Sequence, residues 1–305
     1  MMKFLVTGAT GYLGQNIVKR LLVLNEEVHI VVRENSDLSG FENFKKIVNI
    51  HSYDGSIESM CQIFHKAKPE CVIHLAAKYV SEHTTDDIQA IFESNILLGM
   101  HLLEGMKVSK CKRLITTGTN WQNAEGKAYK PVNLYAATKE AFEDLAMHYV
   151  YQEEIQVISL RIYDTYGPKD KRSKMINLFE KCKNSNETLE MSPGEQLLGM
   201  VYIEDVVSAY EVAVNRIMKM SQASMEVFYL TPIKFYSLKE IAQCYQKIME
   251  TKLNIVWGAR PYRKREVMKP YIGMRLPGWE PIIDLQMGLI LIKKSNETQG
   301  EVLQG

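Results

Sequence analysis

The chain predicts an α/β fold, a doubly wound parallel sheet, with a smaller mixed lobe toward the C-terminus. Three observations predict it. Short apolar runs such as "KFLVTGA", "EVHIVVR", "CVIHLAA", "RLITTGT" and "IQVISLRIY" alternate with segments of helical period. These runs are apolar throughout instead of alternating with polar residues, as expected of strands covered by helices on both faces. The first of them ends in a glycine-spaced turn that opens a helix. Repeated βα units of this kind build a parallel sheet.

Taken in order, "KFLVTGA" is the first strand and "GYLGQNIVKRLLVLN" the first amphipathic helix. "EVHIVVR", a helical turn region and "KIVNIHSYD" follow, then the helix "SIESMCQIFHKA" and the strand "CVIHLAA". A longer helix runs through "AIFESNILLGMHLLEGMKVS" to the strand "RLITTGT", and the "YAATK" helix leads to "IQVISLRIY". Past Gly167-Pro168 the rhythm fades into mixed segments richer in proline, glycine and basic residues. "MVYIEDVVSAYEVAVNRIM" returns to the first lobe. The expected organisation is therefore a dinucleotide-binding domain of residues 1–167 plus about 200–230. A substrate lobe takes about 168–199 plus 231–293, and the polar residues 294–305 form a flexible tail.

A formal net charge of +1 over 305 residues carries no electrostatic footprint of nucleic acid or of a membrane surface. "KDKR" (Lys169 to Arg172) and "RKR" (Arg263 to Arg265) are solvated faces or local anion sites. The five cysteines are scattered, with no CxxC pair and no even-numbered framework, which fits a reducing cytoplasm. With the histidines equally dispersed, no metal is expected. "MMKFLVTG" enters a strand at once and does not read as a signal peptide. No apolar run reaches the length of about 18 residues that a membrane helix needs.

"VTGATGYLGQN" places Gly8, Gly11 and Gly14 at a strand-to-helix turn. Glycines there allow a tight turn and close approach of the backbone to a pyrophosphate, which the helix N-terminus attracts. The second strand ends in Val32-Arg33, where an acidic residue would favour NAD. A guanidinium suits a 2′-phosphate, so NADP is expected before NAD; the alternative is that Arg33 only covers the adenine face, with Glu34 close by. Asp54 either receives the adenine amino group or is an exposed loop aspartate.

Tyr135 and Lys139, four residues apart in "NLYAATKEAF", share a helix face, which by itself is ordinary. Together with "TGATGYLG", "HLAA" (His74 to Ala77) and Asn95, in that order, they resemble the extended short-chain dehydrogenase/reductases of nucleotide-sugar metabolism, the NAD-dependent epimerase/dehydratase family. The resemblance runs from residue 2 to about 291, through "RIYDTYGP", "VYIEDVVSAY", "PYRKREVM" and "LPGWEP". It implies a Rossmann domain, a nucleotide-sugar substrate and a homodimer paired through helices around Ile91 to Leu103 and Ala136 to Tyr149, whose apolar faces could equally be buried within one subunit. It implies Tyr135 as acid/base, with Lys139 beside it and bonding the nicotinamide ribose. Thr117 is the implied catalytic hydroxyl, four residues before Trp121, and Thr119 the fallback. The cofactor is expected against Gly8, Thr10, Gly11, Tyr12, Leu13 and Gly14, then Arg33, Asp54 and Gly55. Leu75, Ala76, Ala77, Asn95 and Ile162, with Tyr135 and Lys139, complete that surface. Lys78, Thr119, Asp164 and Arg263 are expected at the substrate. A free tyrosine has a pKa near ~10, and a neighbouring ammonium is expected to depress it.

Departures from the family pattern narrow the chemistry. The 4,6-dehydratases carry an acidic pair after the catalytic threonine, where this chain has Gly118 and Thr119. The Thr/Tyr/Lys set suffices for NADPH-dependent ketone reduction. "TGTNWQ", "PVNLYAATKEAFED" and "YDTYGP" look most like the CDP-abequose and CDP-paratose synthase type, which reduces CDP-4-keto-3,6-dideoxyglucose for O-antigen precursors. A C4 epimerase and a catalytically silent NADP-binding subunit are the rival readings. Asp164 replaces a usual asparagine and would be unfavourable near a pyrophosphate unless paired. Leu198-Gly199 replaces a usual "RD", which leaves Arg263 for the pyrophosphate, with Arg265 and Lys171 weaker candidates.

Overall fold

A computed structural model of the protein describes residues 1–44, 47–124, 126, 128–185 and 187–302. Strands β1 (Lys3–Thr7), β2 (Glu27–Val32), β3 (Val48–Ser52), β4 (Cys71–His74), β5 (Arg113–Thr119) and β6 (Gln156–Ile162) are joined by helical crossovers. The crossovers are α1 (Tyr12–Val23), α2 (Ile57–Ala67), a stretch from α3 (Ile88–Phe92) through a π turn (Glu93–Leu97) to α4 (Leu98–Ser109), and α5 (Leu134–Glu153). After β6 come β7 (Asp164–Tyr166), α6 (Met175–Ser185), β8 (Leu189–Met191), β9 (Leu197–Tyr202) and α7 (Ile203–Ile217). The chain then forms β10 (Met225–Tyr229), β11 (Phe235–Ser237), α8 (Leu238–Ile248), β12 (Ile255–Trp257) and α9 (Leu285–Val302).

The main sheet has seven strands in the order β10-β6-β5-β4-β1-β2-β3, with parallel pairing throughout. This is the expected doubly wound sheet. Alternate residues of each strand go to opposite faces. Phe4, Val6, Ile73, Ile115 and Ile158 pack with Ile17 and Val18 of α1 and with Val206 and Ala209 of α7. Leu5, Val72, Leu114 and Val157 pack with Met60 and Phe64 of α2, Leu102 and Met106 of α4, and Phe142 and Ala146 of α5. Strand β3 departs from the apolar pattern, exposing Asn49, Ile50 and Ser52, because it is the outermost strand.

A three-stranded sheet, β11-β9-β7, and a two-stranded pair, β12-β8, stand beside the main sheet. Helix α7 lies along α1, where Arg20 Nε is 2.7 Å from Glu211 Oε1. Strand β10 closes the sheet edge on β6. Trp279 Nε1 donates to the Asp205 carbonyl, and the Ile282 and Ile283 amides donate to the Asp205 carboxylate, which ties the C-terminal segment to α7.

The expected loose tail is corrected in part: residues 294–302 continue α9 as helix, and 303–305 lie outside the described residues. Leu285, Leu289 and Ile292 anchor the first turns in the core. Once a helix is nucleated, polar residues extend it at little cost. The helices expected to pair two subunits divide their apolar residues. Phe142, Ala146 and Tyr149 of α5 are buried within the subunit, whereas Phe92 and Leu97 are exposed. Among the described residues no helix is long and apolar enough to cross a membrane.

Candidate active site

Strand order reverses between β1 and β4, and the crevice above their C-terminal ends is where open α/β sheets bind ligands. The glycine turn after β1 fills one side of it, and each glycine has a different reason. Gly8 has φ +69°, and a Cβ there would fall 2.5 Å from the Ala76 nitrogen. At Gly14 a Cβ would overlap the Gly8 carbonyl oxygen. Gly11 is the N-cap of α1, with no side chain capping the helix. A Cβ at Gly11 would meet only the Gly8 oxygen, at 3.3 Å, and would otherwise stand in open space. The first amides of α1, on Tyr12, Leu13 and Gly14, have no intrahelical acceptor. An open cradle faced by free amides fits a pyrophosphate.

The remaining cofactor candidates frame this cradle. The Thr10 carbonyl accepts from Gln15 Nε2, which fixes the turn. Leu13, Leu75 and Ile162 are half-buried against the core. The Leu75 amide donates to the Thr7 carbonyl and the Ala76 amide to Thr7 Oγ1, holding the Leu75–Ala77 segment against β1. Asn95, buried in the π turn, spends its amide on structure. Its Oδ1 accepts from the Lys78 amide at 2.7 Å, and its Nδ2 donates to the Lys78 carbonyl and to Thr138 Oγ1. Arg33 stands exposed just past β2, its amide donating to Ser36 Oγ. Asp54 is exposed past β3, and Ser56 donates to its Oδ1 from both N and Oγ, bonds that hold the carboxyl below its usual range. Gly55 follows with φ +100°.

Tyr135 lies in the first turn of α5, set by Asn133, whose side chain caps the Ala136 amide at 3.0 Å. It lines a cavity of about 370 Å³ together with Tyr79, Thr119, Trp121, Ile162, Tyr163, Asp164 and Lys174. A depression of about 510 Å³ between the end of α7 and β10 is larger but holds none of the candidate residues. Burial, and then the neighbouring Tyr79, push the Tyr135 phenol above its ordinary pKa, the reverse of the expected depression. Taking phenolate out of water outweighs whatever the ammonium gives back. Lys139 is buried one turn along. Burial lowers it to about 8, with Glu143 opposing the shift.

The two threonine candidates separate. Thr117 Oγ1 donates to the His74 carbonyl at 3.3 Å and lies 2.5 Å from the Tyr210 hydroxyl, so it faces α7 and does not line the cavity. Thr119 does line it, its Oγ1 accepting from the Trp121 amide at 3.3 Å.

Behind Thr119 lies a buried polar network. Arg161 donates to Glu143, to Glu140 at 2.7 Å and to Asn123, and bonds the Tyr229 hydroxyl. Ser159 donates to Glu143, Gln122 donates to Glu140, and the Thr119 amide donates to Gln122 Oε1 at 2.8 Å. Gly118 has to be glycine here. A Cβ would sit 2.7 Å from Gln122 Oε1, 2.8 Å from Arg161 Cγ and 2.9 Å from Glu143 Oε1.

Asp164 is paired, its Oδ1 3.2 Å from Lys174 Nζ, which answers the concern about an isolated carboxylate. Burial alone would lower Lys174, but Asp164 and Tyr79 outweigh it and leave its pKa raised. Arg263 is exposed, its guanidinium 5.8 Å from the Trp121 ring centre. Lys78 reaches toward Asp87 at 3.7 Å, away from Asp164. Arg265 reaches the Lys130 carbonyl, and Lys171 is exposed. Sequence reasoning missed Tyr79, Lys174 and Arg172. Arg172 ends the basic stretch Lys169 to Arg172, which reads as a solvated face or a local anion site; it lines the cavity and stacks 4.7 Å over the Tyr12 ring.

The sequence model of the NAD dependent epimerase/dehydratase family matches residues 4–225. The chain belongs to this family. It is 28% identical over 270 residues, 88% of its length and 92% of the relative's, to the CDP-abequose synthase of Yersinia pseudotuberculosis. The UDP-glucose 4-epimerase of Thermotoga maritima, solved with UDP-glucose, superposes with a TM-score of 0.84 at 22% identity, covering 98% of this chain and 99% of that one. The Thermus thermophilus UDP-glucose 4-epimerase, solved with NAD, gives 0.81 at 22% over 98% and 99%. The structural likenesses establish the fold.

Gly11→Ala should change apo stability by no more than about 1 kcal/mol, the scale of an N-cap exchange. The same variant should weaken dinucleotide binding tenfold or more in a fluorescence titration; unchanged affinity would move the phosphates elsewhere. Gly118→Ala should cost ~1–3 kcal/mol of stability by overpacking, read from urea denaturation. A neutral result would mean that the network behind Thr119 can yield.

Proposed function

We propose that the protein is an NADPH-dependent reductase of the C4 ketone of a nucleotide-linked 4-keto-6-deoxy hexose, with CDP-4-keto-3,6-dideoxyhexose the favoured substrate. The observation that carries this reading is a cavity that holds Tyr135 and Thr119 and in which the two residues after Thr119, Asn120 and Trp121, carry no acid. Acid/base work at neighbouring sugar carbons, as dehydration needs, has no side chain there. Proton delivery to a single oxygen does.

When bound, the reduced nicotinamide dinucleotide supplies the hydride. Tyr135, its phenol kept protonated by burial, donates the proton to the ketone oxygen. Thr119 holds that oxygen beside the phenol by a hydrogen bond. Thr117, the residue the family register selects, would reach the oxygen only by giving up Tyr210. Lys139 stays cationic at neutral pH and stabilises the tyrosinate left after transfer. Arg33, exposed at the adenosine end, supports NADPH over NADH. Arg263 near Trp121 is the candidate for the sugar pyrophosphate. The name of the Yersinia relative supports the CDP-linked substrate.

The test is cofactor oxidation against 4-keto-6-deoxy sugars on CDP, dTDP and GDP, with NADPH and NADH compared. NADPH consumption that needs a keto sugar, nearly abolished in Tyr135→Phe, is expected. Turnover without net cofactor consumption would make the enzyme an epimerase, and equal use of NADH would remove the role of Arg33. The pH profile adds a second test. Lys139 is charged below its pKa, so kcat/KM for reduction should be level at neutral pH and fall above about 8. Lys139→Arg, whose guanidinium does not titrate in this range, should keep the plateau; the same fall in that variant would assign the ionisation to another group.

A further inference from the structure

The cavity has two unlike ends. Tyr79 meets Tyr135 with ring centres 5.1 Å apart at 78°, and lies 5.9 Å from Trp121. On its other side Lys174 Nζ stands 4.5 Å from the Tyr79 ring centre and 3.2 Å from Asp164 Oδ1. Tyr79 is 45% exposed, so its ring faces the open cavity and not the core. The wall beside Tyr135 thus includes the Tyr79 ring, and the cavity's polar groups come from Thr119, Asn120, Asp164, Arg172 and Lys174.

Resting on the reading that a ketone binds at Tyr135, we infer that Tyr79 is a specificity-determining residue, which makes the cavity select a sugar lacking a hydroxyl on the carbon beside that ketone. A ketone oxygen at the Tyr135 phenol sets a flanking ring carbon against the face or edge of Tyr79. A methylene there gains contact with the ring. A hydroxyl pressed against that ring loses water and gains no hydrogen bond from the ring face. The Asp164–Lys174 pair instead serves the hydroxyls on the distal side of the sugar. An apolar wall rejects an added hydroxyl only moderately, so discrimination on the order of 10- to 100-fold is expected.

The experiment compares CDP-4-keto-3,6-dideoxyglucose with CDP-4-keto-6-deoxyglucose, which differ by the 3-hydroxyl, in wild type, Tyr79→Phe and Tyr79→Ala. Wild type and Tyr79→Phe should prefer the 3-deoxy sugar at least tenfold in kcat/KM. Tyr79→Ala should bring the ratio to within about threefold by gaining on the hydroxylated sugar. A fall in both substrates by the same factor would mark a structural role and overturn the inference, as would equal use of both by wild type. If no keto sugar is reduced, the reductase reading fails by itself. Calorimetric binding of the same two nucleotide sugars to cofactor-loaded protein then decides the question. A wild-type preference lost in Tyr79→Ala supports the inference, and equal binding by wild type overturns it.

Discussion

A guanidinium in the protein interior has to be neutralised, and Arg161 organises the active-site side of this fold around that requirement. It projects from β6 and takes two carboxylates from α5, Glu140 and Glu143, together with Asn123 from the segment after β5. Gln122 passes the restraint to the Thr119 amide, and Ser159 completes Glu143. One buried cation thereby fixes the angle of the helix that carries Tyr135 and Lys139, and the loop that carries Thr119. Breaking such a pair costs more than the pair contributes, on the order of 3–5 kcal/mol, because a charge is left stranded. Glu143 also sits one turn beyond Lys139, so the carboxylate that neutralises Arg161 opposes the downward shift that burial gives the lysine.

The other half of the site depends on backbone and not on charge. The turn after β1 and the segment after β4 approach so closely that only glycine fits at positions 8 and 14, and Asn95 locks the β4 segment to α5 through Thr138. The π turn supplies the position from which Asn95 reaches both. Phosphate cradle and phenol are thus held by separate devices on one rigid sheet, which is what a reaction between a cofactor and a second substrate requires.

Much of the fold was legible because its signals are local. The strands of the main sheet announced themselves as apolar runs, the glycine turn by its spacing, and α5 by the four-residue spacing of Tyr135 and Lys139. The tail of α9 was misread because its polar residues carry no hydrophobic period, and only the packing of Leu285, Leu289 and Ile292 makes the helix start. Residues of the site divided in the same way. Tyr135 and the glycines stood in motifs, whereas Tyr79 and Lys174 are ninety-five positions apart by their numbers and meet only across the cavity.

The sequence by itself determined the parallel sheet, the phosphate turn and the Tyr135–Lys139 pair, since each follows from period, spacing or the conformational needs of glycine. Only the tertiary structure decided which threonine faces the cavity, because Thr117 lies deeper along the strand against the Tyr210 hydroxyl, whereas Thr119 stands at the strand end that opens into it. It also decided the sign of the shift at Tyr135, which burial and then the neighbouring Tyr79 raise. And it gave the reason for Gly118, which in sequence is a missing acid and in three dimensions is the space that the Arg161 network needs.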